Sequence, residues 1–265
     1  MEKLLNLYNK SLQFFEEAFV YLEGKIERPE FVSFGSKKEY RYNNKSLKAA
    51  IIQKLARVVS GLHASIVLLE GGYVQELGAI FRTLDEFNED IIFLCAGLRA
   101  RELSDLHNKY LEYFYQEEFN IPNNPFLSDQ KRPTIPRKKI RAAICGMKEY
   151  PLNPSDAAEV HRTISQAYSG YVHGASPHIM EMYGGHPPKF YVSGMKGTPR
   201  IAQFASNCSD YFYRGLHSIM LISLSFNEKA FFDKLVEFRK YFEIESDKTD
   251  LDKYEGYIKK IKRNK

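Results

Sequence analysis

LGAIFRTLDEFNEDIIFLCAGL, residues 77–98, decides the fold. Leu77, Leu84, Ile91 and Leu98 recur seven residues apart, and Ile80, Phe87 and Leu94 form a second row between them. A two-row apolar seam at this spacing packs against neighbouring helices as in a bundle. Opposite the seam the same helix carries Arg82, Glu86 and Glu89.

The pattern extends in both directions from this helix. Upstream, Leu47, Ile51, Leu55, Val58, Leu62, Ile66 and Leu69 form one apolar stripe, and Gly71-Gly72 separates it from the seam helix. That punctuation predicts an antiparallel helical hairpin. An earlier stripe runs from Leu4 and Leu5 through Tyr8, Leu12, Phe15 and Phe19 to Leu22, and residues 32–44 between the two read as a loop. Downstream, an aromatic helix at 101–119 leads into NIPNNPFLSDQKRPTIP, a Pro- and Asn-rich loop of a length that is uncommon inside a compact domain. A short basic helix (137–147) and a helix from Pro154 to His173 follow. Gly174 suits the cap after that helix, and Ser176-Pro177 opens a short one that ends at Gly184-Gly185. A short β-hairpin is expected near 189–198, around KFYVSG, then a long helix at 199–226 and a last one at 228–243. The expectation is one all-α bundle over residues 1–243, with its core at about 45–226, and a charged tail at 244–265.

Composition narrows the function classes. The three cysteines, Cys95, Cys145 and Cys208, lie far apart among apolar neighbours with no CxxC pair, which predicts free thiols and a cytoplasmic protein. The longest charge-free apolar run, GLHSIMLISLSFN at 215–227, is too short to cross a bilayer, so no membrane partner is expected. The net charge of +5 is unevenly placed. Residues 131–148 hold seven bases and no acid, so the rest of the chain carries +5 − 7 = −2. Within this stretch Lys131, Arg132, Arg137, Lys138, Lys139 and Arg141 are candidate phosphate contacts for a nucleic acid, through non-specific attraction rather than DNA sequence readout.

The strongest candidate for chemistry is His173, in YSGYVHGASPH (168–178). Arg162, Gln166, Ser169 and His173 are spaced four, three and four apart, on one face of the expected helix. A histidine at the negative end of a helix dipole is biased towards imidazolium and suits general acid–base work. Ser169 and Arg162 would help to hold an anion. The plainer alternative is a solvated helix face ending in a capping histidine. Arg82 and Glu86 form an i,i+4 pair that either sits on the surface or lines a cleft closed by a second layer of helices. His178 and Glu181 could share a helix face in a metal-dependent enzyme, but no HExxH or paired Glu-x-x-His occurs, and neither metal nor cofactor is expected.

RTLDE on a long helix, followed by YSGYVHG at a helix end, resembles a bacterial family of all-helical proteins grouped with the HEPN superfamily (higher eukaryotes and prokaryotes nucleotide-binding). The resemblance spans about residues 45–225 and picks out Arg82, Glu86, Tyr168 and His173. It implies metal-independent RNA cleavage by Arg and His, usually at a homodimer interface, in toxin and phage-defence systems. Other members of the superfamily bind nucleotides or proteins without catalysis. The leading expectation is therefore a HEPN-like protein acting on RNA or a nucleotide, with His173 transferring protons and Arg82, oriented by Glu86, steadying the phosphate. The alternative is a non-catalytic ligand- or protein-binding helical module.

Overall fold

The computed structural model describes residues 1–100, 102–147, 162–164 and 166–247. It is a helical bundle with two small hairpins. Helix α1 (Glu2–Glu23) precedes a hairpin of β1 (Glu30–Phe34) and β2 (Lys37–Arg41). Helices α2 (Leu47–Gly71), α3 (Val74–Arg99), α4 (Asp105–Phe114) and α5 (Arg137–Cys145) follow. After the short α6 (Ser169–Val172) and α7 (Ser176–Met180) comes a second hairpin, β3 (Tyr183–Gly184) with β4 (Lys189–Phe190). Helices α8 (Pro199–Ser225) and α9 (Lys229–Glu245) complete the described chain.

The expected α2–α3 hairpin is present, and its ends are set by local chemistry. The Ser46 side chain accepts the Ala49 N–H at 3.2 Å to start α2, and Gly72, at φ 82°, ends it in a left-handed cap that a side chain would strain. Midway along the pair, Gly61 lets Leu84 approach so closely that an added Cβ would lie 2.8 Å from it. Helix α8 packs across α1, α2 and α3, with Phe212 stacked on Tyr8 at 4.6 Å and Gly215 against Leu62. Helix α9 closes the outer side through Phe238 on Phe14 at 4.1 Å and the buried Leu235 and Phe242. Each fully buried aromatic or aliphatic side chain of this core contributes roughly 1.5–3 kcal/mol. By length and composition α2 could cross a membrane, with a mean hydropathy of 1.3 in its most apolar window. In the fold it lies between α1, α3 and α8.

Four expectations need revision. Residues 32–44 are not a plain loop, because β1 and β2 pair antiparallel with Phe31 opposite Tyr40. The alternating apolar residues either side of Gly35 carried that signal, and Asn123 holds the turn by accepting the Ser36 N–H at 2.8 Å. The aromatic helix is shorter than 101–119. Ser104 caps its start, and beyond Phe114 the carbonyls of Tyr113 and Phe114 accept bonds from Arg132 instead of from a further helical turn. The second hairpin spans 183–190, so only its β4 strand falls within the expected 189–198. The expected helix ending at His173 is interrupted, since Tyr168 sits in a turn and only Ser169–Val172 is helical beyond it. The first part of that helix (154–161), and the tail from 248 to 265, lie outside the described residues.

Candidate ligand-binding site

Helix α3 is the centre of the bundle, for no residue from Leu77 to Leu98 is exposed. Its polar face is therefore not a solvated one. Asp85, Asn88, Glu89 and Asp90 are all buried, which is tolerable only if each is paired. Neighbouring elements supply the partners. Arg137 of α5 bonds both Glu89 and Asp90, and its Nη2 also reaches the Glu86 carbonyl at 3.2 Å. The Arg141 Nε sits 2.9 Å from Glu89, and Lys54 of α2 lies 2.8 Å from Asp90. The Ser218 hydroxyl donates to the Asn88 amide oxygen at 2.6 Å. Asp85 is held by Arg214 of α8 and accepts from the Tyr211 hydroxyl at 3.3 Å.

This arrangement divides the sequence-predicted residues. Arg82 and Glu86 pair through Nη2 and Oε1 at 2.8 Å, Arg82 lying one helical turn before Asp85 and Glu86 directly after it. Arg82 Nη1 is buried with no hydrogen-bond partner among the described residues. Tyr168 comes to the same face of α3. Its ring meets Phe81 edge-on at 5.3 Å and Tyr211 at 5.9 Å, and its hydroxyl accepts from the Asn207 amide at 3.1 Å. Burial pushes the Tyr168 hydroxyl up to about 12, so it serves as a neutral donor or acceptor.

His173 is not drawn into this group. It is exposed, its backbone N–H bonds the Ser169 carbonyl at 3.1 Å, and no described hydrogen bond or ion pair links its ring to Arg82 or Glu86. The four-residue α6 before it supplies little of the aligned dipole on which its expected bias rested. Ser169 begins α6 half-buried, and Arg162 donates to Gln166 at 2.9 Å on an exposed surface.

Of the candidate phosphate contacts, Arg137 and Arg141 turn inward onto Glu89 and Asp90, while Arg132 engages Glu118 at 3.3 Å as well as the end of α4. Lys131, Lys138 and Lys139 are exposed. The basic run thus divides into an internal clamp and a short outward row of lysines. Glu181 accepts the Tyr171 hydroxyl at 2.7 Å and pairs with Arg200 at 3.4 Å, and no three metal-ligating groups converge among the described residues. Two surface cavities, of about 340 Å³ beside Lys109 and Lys139 and about 470 Å³ beside Lys10 and Tyr241, are lined by neither Arg82 nor His173.

The residues that periodicity could not supply are Asp85, Tyr211 and Arg214. A partial signal existed, since Asp85 and Glu89 are four apart within an apolar helix and Arg214 is a base set midway along the apolar α8. Their pairing spans more than a hundred residues and is invisible to local pattern. The fold and this site together define an all-helical bundle with a charged interior face. Comparison with protein-family models, with curated proteins and with solved structures finds no match for the chain.

Asp85 also gives a pH signature. Burial, opposed by Arg214, raises its carboxyl to about 6. The folded protein therefore holds this proton to higher pH than the unfolded chain, whose carboxyl titrates near 4. The contribution of Asp85 to stability is greatest below about pH 4 and declines as pH rises to about 6, by something on the order of 3 kcal/mol. Asp85→Asn removes that slope. Urea unfolding of both proteins should show the wild type losing ground to the variant between about pH 4 and 7. A difference independent of pH would mean that the carboxylate reaches water.

Proposed function

We propose that this chain is a non-catalytic helical module that binds a phosphate-bearing ligand, a nucleotide or a segment of RNA, at Arg82. The observation that carries this reading is the state of that side chain. Glu86 fixes one nitrogen of the guanidinium at 2.8 Å, the other is buried and without a hydrogen-bond partner, and Arg214 stands beside it on Asp85. Once a small side-chain movement from its 18%-exposed position uncovers it, a pre-oriented guanidinium with an unused donor suits a phosphate oxygen, and Tyr168 and Asn207, also packed near α3, offer neutral hydrogen bonds to the rest of a ligand. The HEPN resemblance points to the same ligand class. The binding reading is preferred to cleavage because proton transfer needs a positioned partner, and His173 has none among the described residues. Three buried cysteines outside any disulfide are consistent with action in the cytoplasm.

Titration calorimetry with ATP and with an oligouridine tests the proposal. At least one should bind, and Arg82→Ala should weaken it by about tenfold or more, as expected for the loss of a charge-assisted bond. Undiminished affinity in the variant would sink the assignment. Cleavage of the oligouridine by wild type, abolished in His173→Ala, would restore the catalytic reading instead.

A further inference from the structure

We infer that the surface formed by residues 172–192 docks an acidic, apolar-bearing segment of a partner protein. This surface is separate from the Arg82 site. Of twenty exposed large hydrophobic residues among those described, six fall in this stretch of twenty-one: Val172, Ile179, Met180, Tyr183, Phe190 and Val192, between 41% and 75% exposed. Scattered exposed apolar residues need no explanation, but a concentration of this kind marks an interaction site. Parts of this stretch are also close in space. The Ile179 Cδ1 comes within 3.7 Å of where a Cβ on Gly174 would stand, next to Val172 and His173. Tyr183 and Phe190 are register partners with rings 4.9 Å apart.

The surface stands on a fixed base. Tyr171 packs over Gly78 of α3, where any side chain would meet its ring at 2.6 Å. The Gln75 amide donates to the His178 carbonyl at 2.8 Å, and the N–H of the buried Met195 donates to Gly72 O at 2.8 Å. A patch anchored at both ends to the α2–α3 hairpin is presented for contact and is not simply an unpacked loop.

Charge selects the occupant. From Val172 to Arg200 the chain has a single acid, Glu181, and that carboxylate is taken by Tyr171 and Arg200. Lys189, next to Phe190, and Lys196, four residues after Val192, are exposed. A second copy is disfavoured, because the one carboxylate of this stretch is already paired and leaves none to meet these lysines across a two-fold interface. A nucleic acid would satisfy the lysines but leave the aliphatic Val172, Ile179, Met180 and Val192 uncovered, and the two aromatic rings already pack against each other. An amphipathic segment bearing Asp or Glu beside Leu, Ile or Phe meets both requirements.

The probe is a fluorescein-labelled helical peptide of repeating Leu and Glu, compared with its Leu and Lys counterpart by fluorescence anisotropy on the full chain. The acidic peptide should bind at least about tenfold more tightly than the basic one. Val192→Asp, at a site too exposed to matter for folding, should weaken it about tenfold or more, and Lys189→Glu with Lys196→Glu should flatten its salt dependence. Arg82→Ala should leave it unchanged, which separates this outcome from that of the phosphate site. Equal binding of both peptides, indifference to Val192→Asp, displacement of the peptide by oligouridine, or a wild-type dimer that Val192→Asp dissociates would each overturn the inference.

Discussion

Replacing Glu89 by alanine is expected to remove about 3–5 kcal/mol of folding free energy, because two half-buried guanidinium groups lose their buried carboxylate at once. Glu89 is buried, bonds Arg137, and lies 2.9 Å from the Arg141 Nε. Neither arginine has an easy escape. Arg137 is tied also to Asp90 and to the Glu86 carbonyl, and Arg141 Nη2 is already buried without a partner. Breaking one member of such a set leaves uncompensated charge in a poor solvent, whereas an exposed pair costs at most about 1 kcal/mol. Urea unfolding followed by circular dichroism measures the loss. Glu89→Gln, which keeps a hydrogen-bond acceptor, should lie between alanine and wild type. A loss below about 1 kcal/mol would show that Arg137 and Arg141 swing out to water, and would return them to the set of candidate phosphate contacts.

Phe81→Ala should cost about as much, roughly 3–5 kcal/mol, by a different mechanism. The Phe81 side chain is fully buried, stacked on Tyr211 at 4.0 Å and on Phe204 at 6.2 Å, with Tyr168 edge-on. Truncation opens a cavity among three rings that cannot all collapse into it, because the Tyr211 hydroxyl is held by Asp85 and the Tyr168 hydroxyl by Asn207. For a chain of this size the melting temperature should fall by about 10 °C. The consequence reaches the Arg82 site, since Tyr168 and Tyr211 are positioned through Phe81. Phe81→Leu, which retains most of the volume, should recover more than half of the stability. Equal losses for leucine and alanine would mean that ring stacking, and not volume, fixes the site.

Much of the architecture was legible because helical bundles write their packing into local spacing. The seam of α3, the stripes of α1 and α2, and the long α8 all follow from apolar residues recurring every three or four positions. The misreadings fall where tertiary contacts override the local pattern. Tyr168 leaves the helical path in a turn whose ring packs on Phe81 and Tyr211, and α4 stops at Phe114, where Arg132 takes the next carbonyls. The first hairpin was missed because its alternation covers only two five-residue strands, and the contacts that pin them, Asn123 on Ser36 and Glu117 on Arg41 at 2.6 Å, come from more than seventy positions away.

The candidate site was legible only in part. The i,i+4 spacing of Arg82 and Glu86 fixes their pairing wherever the helix lies, and Tyr168 does reach the same face of α3. Spacing cannot say whether a polar face looks outward. The face bearing Arg82, Glu86 and Glu89 could be surface or cleft by spacing alone, and only α5 and α8, with Arg137, Arg141 and Arg214, show that Asp85, Glu89 and Asp90 are interior.

The sequence by itself determined the helical class, the α2–α3 hairpin and the Arg82–Glu86 pair, because each depends on residues within a few turns of one another. Only the tertiary structure decided that the polar face of α3 is interior, that Arg137 and Arg141 of the basic run form an internal clamp, and that His173 is exposed with no described bond to Arg82. Charge has no periodicity that distinguishes a buried partner from water. That distinction exists only once distant helices have packed.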